Sequence, residues 1–165
     1  MSGTLLSREI VALARRVVEA NAKAGRKVTV AESCTGGLVA AALTEIPGSS
    51  AVVDRGFVTY SNEAKQEMLG VAPDIIEAFG AVSIACVYAM AQGALERSNA
   101  DVAVAISGIA GPGGGTEQKP VGTVVFARAV RGSEEKEAEQ RLFEEKDRPG
   151  VRRQATLVAL ELLLP

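Results

Sequence analysis

Ser33 stands between an apolar run, Val28-Thr29-Val30-Ala31, and an Ala/Leu-rich stretch beginning near Leu38. The linking residues are Glu32-Ser33-Cys34-Thr35-Gly36-Gly37. A hydroxyl at a strand-to-helix junction lies beside backbone N–H groups without intrahelical acceptors, and such donors can hold the oxyanion of a tetrahedral intermediate. Gly36 and Gly37 let the backbone come close to a bound group. A serine there can equally cap the helix, and a Gly-rich helix start can bind phosphate without performing catalysis. The segment is not a G-x-S-x-G elbow, so spacing leaves all three readings open.

A serine nucleophile needs a base, and the chain contains no histidine, which excludes a Ser-His-Asp arrangement. Lysine, tyrosine or a carboxylate remain. Lys65 falls one turn into the helix predicted after the second strand, in Tyr60-Ser61-Asn62-Glu63-Ala64-Lys65. If buried, it would lose pKa by desolvation and could accept the serine proton as a neutral amine. If solvated, it would be an ordinary surface lysine. Tyr60 could relay or orient the proton. Cys34 is a rival nucleophile, but without a histidine to activate it a buried structural thiol is the simpler reading.

A second group of candidates follows the apolar strand Val102 to Ile106. The segment Ser107-Gly108-Ile109-Ala110-Gly111-Pro112-Gly113-Gly114-Gly115 could wrap a phosphate or ribose with backbone donors, or serve only as a long turn. Arg148, Arg152 and Arg153 cluster near the start of the last helix, where a guanidinium fork suits a phosphate.

The elements that must position these residues are legible in the pattern. Helical spacing runs from Ser7, a candidate N-cap, to Ala24, with Gly25 ending it. Strands are expected at 28–31, 51–60 (with Gly56 as a possible bulge), 101–107, 121–130 and, more weakly, 137–143. Helices are expected at 38–45, 61–69, 73–79, 83–98 and 150–164, and the charged stretch 132–139 reads as a solvated hairpin turn. This alternation predicts an α/β fold, a three-layer α/β/α sandwich with a mixed sheet, as a single domain over 1–165. Ligands in open α/β sheets gather beyond the carboxyl ends of strands, so the segments after 31, 60 and 107 are expected to converge.

Composition narrows the function classes. A chain of 165 residues is ordinary for one globular domain, and 47% hydrophobic residues suffice for a core that, with 4% aromatics and no Trp, must be largely aliphatic. The net charge of -2 gives no global attraction to nucleic acid. Cys34 and Cys86 match no metal spacing and no disulfide framework. Charges interrupt the apolar pattern of the first residues, so no signal peptide is expected, and no apolar run is long enough to span a bilayer. A reduced, cytoplasmic setting is the simplest expectation.

Five segments taken together carry a family resemblance: Ala31 to Gly37, Gly56 to Lys65, Ser107 to Pro112, Lys119-Pro120-Val121-Gly122-Thr123-Val124 and Val151-Arg152-Arg153-Gln154-Ala155. They resemble the C-terminal domain of the competence/damage-inducible protein CinA, over nearly the whole chain from Leu5. The stand-alone members of that family are nicotinamide-nucleotide amidohydrolases. The resemblance implies deamidation of nicotinamide mononucleotide, an α/β/α fold, no metal or organic cofactor, a small nucleotide as the substrate and a homo-oligomer. It places the nucleophile on Ser33 and the catalytic lysine on Lys65, with Tyr60 beside them. It puts Glu32, Cys34, Thr35, Gly36, Gly37, Ser107, Gly108, Gly111, Arg148 and Arg152 around the substrate. There are two departures. The chain has no room for the N-terminal domain of the larger members, and Lys146-Asp147-Arg148 stands where Gly-Asp-Arg is usual. A non-catalytic nucleotide- or partner-binding module is the alternative.

Overall fold

The computed structural model describes residues 3–165. In chain order the elements are α1 (Arg8–Ala24), β1 (Val28–Glu32), α2 (Leu38–Thr44), β2 (Val53–Val58), α3 (Asn62–Leu69), α4 (Pro73–Phe79), α5 (Ile84–Glu96), β3 (Val102–Gly108), β4 (Thr123–Val130), β5 (Glu137–Leu142) and α6 (Arg148–Leu162). They form an α/β/α sandwich around a five-stranded mixed sheet of order β2-β1-β3-β4-β5. The strands β2, β1 and β3 run parallel, and β4 and β5 are antiparallel to their neighbours.

Strand alternation divides the core. Val28, Val30, Val102, Val104, Ile106, Val124 and Phe126 face α1, α2 and α6. Ala31, Ala103, Ala105, Val125, Ala127 and Ala129 face α5 and its neighbours. Valine and isoleucine therefore fill one layer. The alanines of the other let the sheet approach α5, whose Cys86, Val87, Met90, Ala91 and Ala94 are buried. Ser7 caps α1 by accepting from the Ile10 N–H, and Gly25 ends it in the left-handed conformation.

Several boundaries differ from the pattern reading. A 3₁₀ turn at Ser49–Ala51 precedes β2, which then starts at Val53. The register against β1 shifts between Val28 and Thr29, leaving Asp54 as the extra residue, so the irregularity lies there and not at Gly56. Gly56 pairs with Val30, and a side chain on it would crowd Val30 and Ala40. Strand β4 begins at Thr123 because Gly122 turns the chain at φ 96°. Helix α6 begins two residues before the expected start, since Pro149 in its first turn is already set to a helical φ. Among the described residues, no helix is long and apolar enough to cross a membrane.

The connection leaving the carboxyl end of β1 leads outward to β2, and the one leaving the carboxyl end of the adjacent β3 leads the other way, to β4. That divergence opens a crevice at the top of the sheet, where α/β proteins hold ligands.

Candidate active site

Ser33 follows β1 directly, and its N–H donates to the Ile106 carbonyl at 2.9 Å, extending the β1–β3 ladder by one residue. Its side chain therefore falls on the face that Ala31 occupies, toward α5. Lys65 reaches the same place from α3. Ser61 caps that helix by accepting from the Ala64 N–H, which puts Lys65 and Leu69, four residues apart, on the face buried against α5. The Lys65 side chain is 1% exposed and that of Ser33 7%.

Lys65 Nζ lies 3.2 Å from Ser33 Oγ, and donates to the carbonyls of Thr59 at 3.0 Å and Tyr60 at 2.9 Å. The Ser61 carbonyl, at 3.4 Å, is the most distant partner. Burial pushes the Lys65 pKa below the usual lysine value, and Cys86 and Glu63 offset this only in part. A neutral amine has two N–H groups and one lone pair. With both N–H groups taken by Thr59 and Tyr60, the lone pair is left for the Ser33 hydroxyl. The reading of Lys65 as a solvated surface residue is thereby excluded.

Glu32 is fully buried and its carboxylate is saturated with donors. Oε1 accepts from Thr35 Oγ1 at 2.7 Å and from the N–H groups of Gly37 and Val39 at 3.2 and 3.0 Å, while Oε2 accepts from the Ala40 N–H at 3.1 Å. Helix α2 is thus capped by Glu32 reaching forward, since its N-cap residue, Gly37, has no side chain to do so. Ser33 is freed from that task. Both Glu32 and Thr35 are directed at the helix terminus and take no part in lining the cleft.

The backbone between Ser33 and α2 is held open. Cys34 adopts φ 77°, which non-glycine residues seldom do, followed by Gly36 at 59° and Gly37 at 101°. Among the described residues, the N–H groups of Cys34, Thr35 and Gly36 meet no acceptor. Arg152 fastens the opposite side of these peptides: its Nε donates to the Cys34 carbonyl at 3.0 Å and its Nη2 to that of Thr35 at 3.4 Å. In a trans peptide the carbonyl and the next N–H point opposite ways, so Arg152 turns the Thr35 and Gly36 N–H groups away from itself. Burial raises the Cys34 thiol to about 11, against the influence of Arg152 and Arg148. That is the behaviour of an inert thiol.

The cleft above these residues has a volume of about 280 Å³ and includes Ser33, Cys34, Tyr60, Lys65, Ser107, Gly108 and Arg148 in its wall. Asn62 and Ala110, which fall within two of the segments expected to converge, also line it, as do Ala81 and Val82, which nothing in the sequence distinguishes. Tyr60 is 66% exposed, and its contact with Lys65 is through the backbone carbonyl. Gly108 packs so closely on Val124 that a Cβ would collide with it, and Gly111 is similarly pressed on Val121 with φ 84°. The three arginines are separated. Arg148 stands at the cleft and donates to the Gly111 carbonyl at 2.7 Å, Arg152 braces the Cys34–Thr35 loop, and Arg153 pairs with Glu145. Thr59, whose carbonyl accepts from the amine, has its Oγ1 buried without a partner among the described residues.

A strand-borne serine facing a buried lysine across the switch point of an α/β/α sandwich is the setting in which the family match falls. The CinA C-terminal domain matches residues 10–165, and the chain belongs to that family. It is 53% identical over 155 residues to the nicotinamide-nucleotide amidohydrolase PncC of Escherichia coli, covering 94% of this chain and 93% of that protein. It is 55% identical over 138 residues to a CinA-like protein of Akkermansia muciniphila, of which it spans only about a third (33%). The crystal structure of the competence/damage-inducible protein CihA from Agrobacterium tumefaciens superposes with a TM-score of 0.94 at 49% identity, over 98% of this chain and 97% of that one.

Proposed function

We propose that the chain hydrolyses the carboxamide of nicotinamide mononucleotide to nicotinate mononucleotide and ammonia, with Ser33 as nucleophile and Lys65 as its base. The observation that carries this reading is the buried amine 3.2 Å from the serine hydroxyl, with its N–H groups already engaged by carbonyls. The close full-length relationship to a protein named for this activity supports the substrate.

Lys65 Nζ takes the hydroxyl proton as Ser33 Oγ bonds to the amide carbon. The negative charge that develops on the amide oxygen is met by the free N–H groups of the Cys34–Gly36 segment. The lysine ammonium then gives its proton to the amide nitrogen, the C–N bond breaks, and ammonia leaves an ester on Ser33. Water attacks that ester while Lys65 accepts a proton, which it returns to Ser33 Oγ as the acid departs. General acid–base assistance of this kind supplies about 10²–10⁴-fold, and the oriented N–H groups and positioning must supply the rest. The positive pyridinium ring withdraws electrons from the carboxamide and favours attack.

A cleft of about 280 Å³ sits just below the usual range for small-molecule sites, ~300–1,000 Å³. It takes the ring and amide and leaves the phosphate at the mouth, where Arg148 is the available cation. Glu32, Thr35, Gly36, Gly37, Gly108, Gly111 and Arg152 act in this reading by shaping the wall, Ser107 and Cys34 by lining it, and Tyr60 through its carbonyl and its ring at the rim.

The test is ammonia release from nicotinamide mononucleotide by purified protein, with Ser33→Ala and Lys65→Met alongside. Both variants should lose turnover while retaining the wild-type circular dichroism and binding the nucleotide by calorimetry. Near-normal turnover in either variant would discard the mechanism. Binding without turnover by the wild type would discard the reaction and favour a nucleotide-binding module.

A further inference from the structure

Strand β5 is the open edge of the sheet: β4 covers one side, and the other has no neighbour among the described residues. The hydrogen-bonding parity can be followed strand by strand. The Ile109 N–H donates to the Thr123 carbonyl and the Arg131 N–H to Asp101, so odd-numbered residues of β4 bond toward β3 and even-numbered ones toward β5. The Phe143 N–H donates to Gly122 in keeping with this. Glu137, Glu139 and Arg141 therefore turn their main-chain groups inward. Ala138, Gln140 and Leu142 present free N–H and C=O groups along the edge.

The side chains divide in the same way. Ala138, Gln140 and Leu142 pair with Ala127, Val125 and Thr123, on the face that carries α5. Glu137, Glu139 and Arg141 pair with Arg128, Phe126 and Val124, on the opposite face. Beside the edge, on the α5 face, an open apolar groove of about 550 Å³ is lined by Phe79, Ile84, Tyr88 and Ala138 among others. In the groove Phe79 is 58% exposed and Ile84 41%, with Lys136 over the Tyr88 ring, and Leu142, further along the edge on the same face, is 56% exposed.

We propose that this edge and groove receive a second copy of the same chain, through antiparallel β5–β5 pairing about a two-fold axis at Gln140. The strand is self-complementary in that register. Gln140 faces Gln140, and Ala138 faces Leu142 twice, each of these pairs exchanging main-chain hydrogen bonds between groups left free in one copy. On one face Leu142 covers Ala138 of the second copy, and the two apolar grooves meet over the seam. On the other face Arg141 donates to Glu139 of its own copy at 3.2 Å, and each also stands directly opposite the other residue of the second copy, so the four side chains alternate in charge around the axis. Moving the axis to Glu139 would set the two copies of that carboxylate against each other and Leu142 against Lys136, so charge and apolar contact together favour the Gln140 register. An axis normal to the sheet closes on itself and gives a ten-stranded sheet with no remaining edge on this side.

The experiment is sedimentation velocity on the whole chain across a concentration series, with Glu139→Arg, Arg141→Glu and the double swap. These side chains are on the surface, and circular dichroism checks that the fold is kept. The wild type should dimerise. Each single swap creates like-charge pairs at two symmetric positions and should weaken the dimer about tenfold or more, since each cross-strand pair counts twice. The double swap restores opposite charges and should recover the dimer. A monomeric wild type at high micromolar concentration would overturn the proposal. So would a dimer indifferent to the single swaps, or a loss that the double swap does not repair.

Discussion

Replacing Glu32 by glutamine keeps the shape of the side chain and exchanges one acceptor for a donor. Glu32 Oε1 accepts from Thr35 Oγ1 and from the N–H groups of Gly37 and Val39, which a glutamine carbonyl could still do. The amide NH₂ then falls where Oε2 accepts from the Ala40 N–H, so two donors face each other in a buried site. An unsatisfied buried donor costs about 1–3 kcal/mol. Removing the negative charge from the amino end of α2 costs about 0.5–1 kcal/mol more. The sum, about 2–4 kcal/mol, is a large part of the ~5–15 kcal/mol that holds a domain together. At ~2–4 °C per kcal/mol for a chain of this size, the melting temperature should fall by about 4–16 °C. The assay is urea and thermal unfolding followed by circular dichroism, with ammonia release measured well below the transition. Turnover should also drop, because the Cys34–Gly37 backbone next to Ser33 is anchored through this carboxylate. A variant with wild-type stability would refute the assignment of Glu32 to the α2 terminus.

Further outcomes follow from the same geometry. Because burial lowers the Lys65 pKa, kcat should lose tenfold per pH unit below that pKa as the amine protonates, a slope read from the pH–rate profile. The unfolded chain binds more protons at this group from the folded-state pKa up to about 10.4, so stability should climb with pH across that window relative to Lys65→Met, measured by urea titration at several pH values. Cys34→Ser should retain activity, and iodoacetamide at pH 8 should leave Cys34 largely unmodified, with its thiol pushed up to about 11; rapid alkylation detected by mass spectrometry would contradict its burial. Thr59→Val replaces an unpartnered buried hydroxyl with a methyl of similar shape and should raise stability by about 1 kcal/mol in urea unfolding, with turnover kept. Gly93→Ala would drive a Cβ into the Leu69 carbonyl at the α3–α5 contact, costing about 3 kcal/mol and displacing the helix that carries Lys65. Equal activity and stability in that variant would show that the close approach is not needed.

Gly93 illustrates what periodicity cannot display. Within α5 it reads as a small residue on a buried face, and only the packed structure reveals that α3 rests on its bare Cα. Asn62 reaches the cleft from the first turn of α3, and Ala81 and Val82 from the α4–α5 connection, a consequence of long-range packing. The bulge at Asp54, too, depends on how β2 seats against β1 and is invisible in β2 alone. Arg148, Arg152 and Arg153 formed one basic cluster in the sequence, yet their guanidinium groups have three different tasks, because successive positions on a helix point in different directions.

Much was settled by residue order alone. Alternating apolar periods specify the strands and helices, since burial rewards period two in one and 3.6 in the other. The absence of histidine removes imidazole from any mechanism, and the glycines after Ser33 allow the positive φ values that open the loop. What folding decided is the state of the reacting groups. A lysine in a helix has the same formula whether it is solvated or enclosed. Here α3 lies against α5, and the chain turns so that the carbonyls of Thr59 and Tyr60 meet the amine. Enclosure sets its proton affinity and places it beside a serine thirty-two positions earlier in the chain. Desolvation and distance are properties of the whole packed molecule, and no short stretch of sequence contains them.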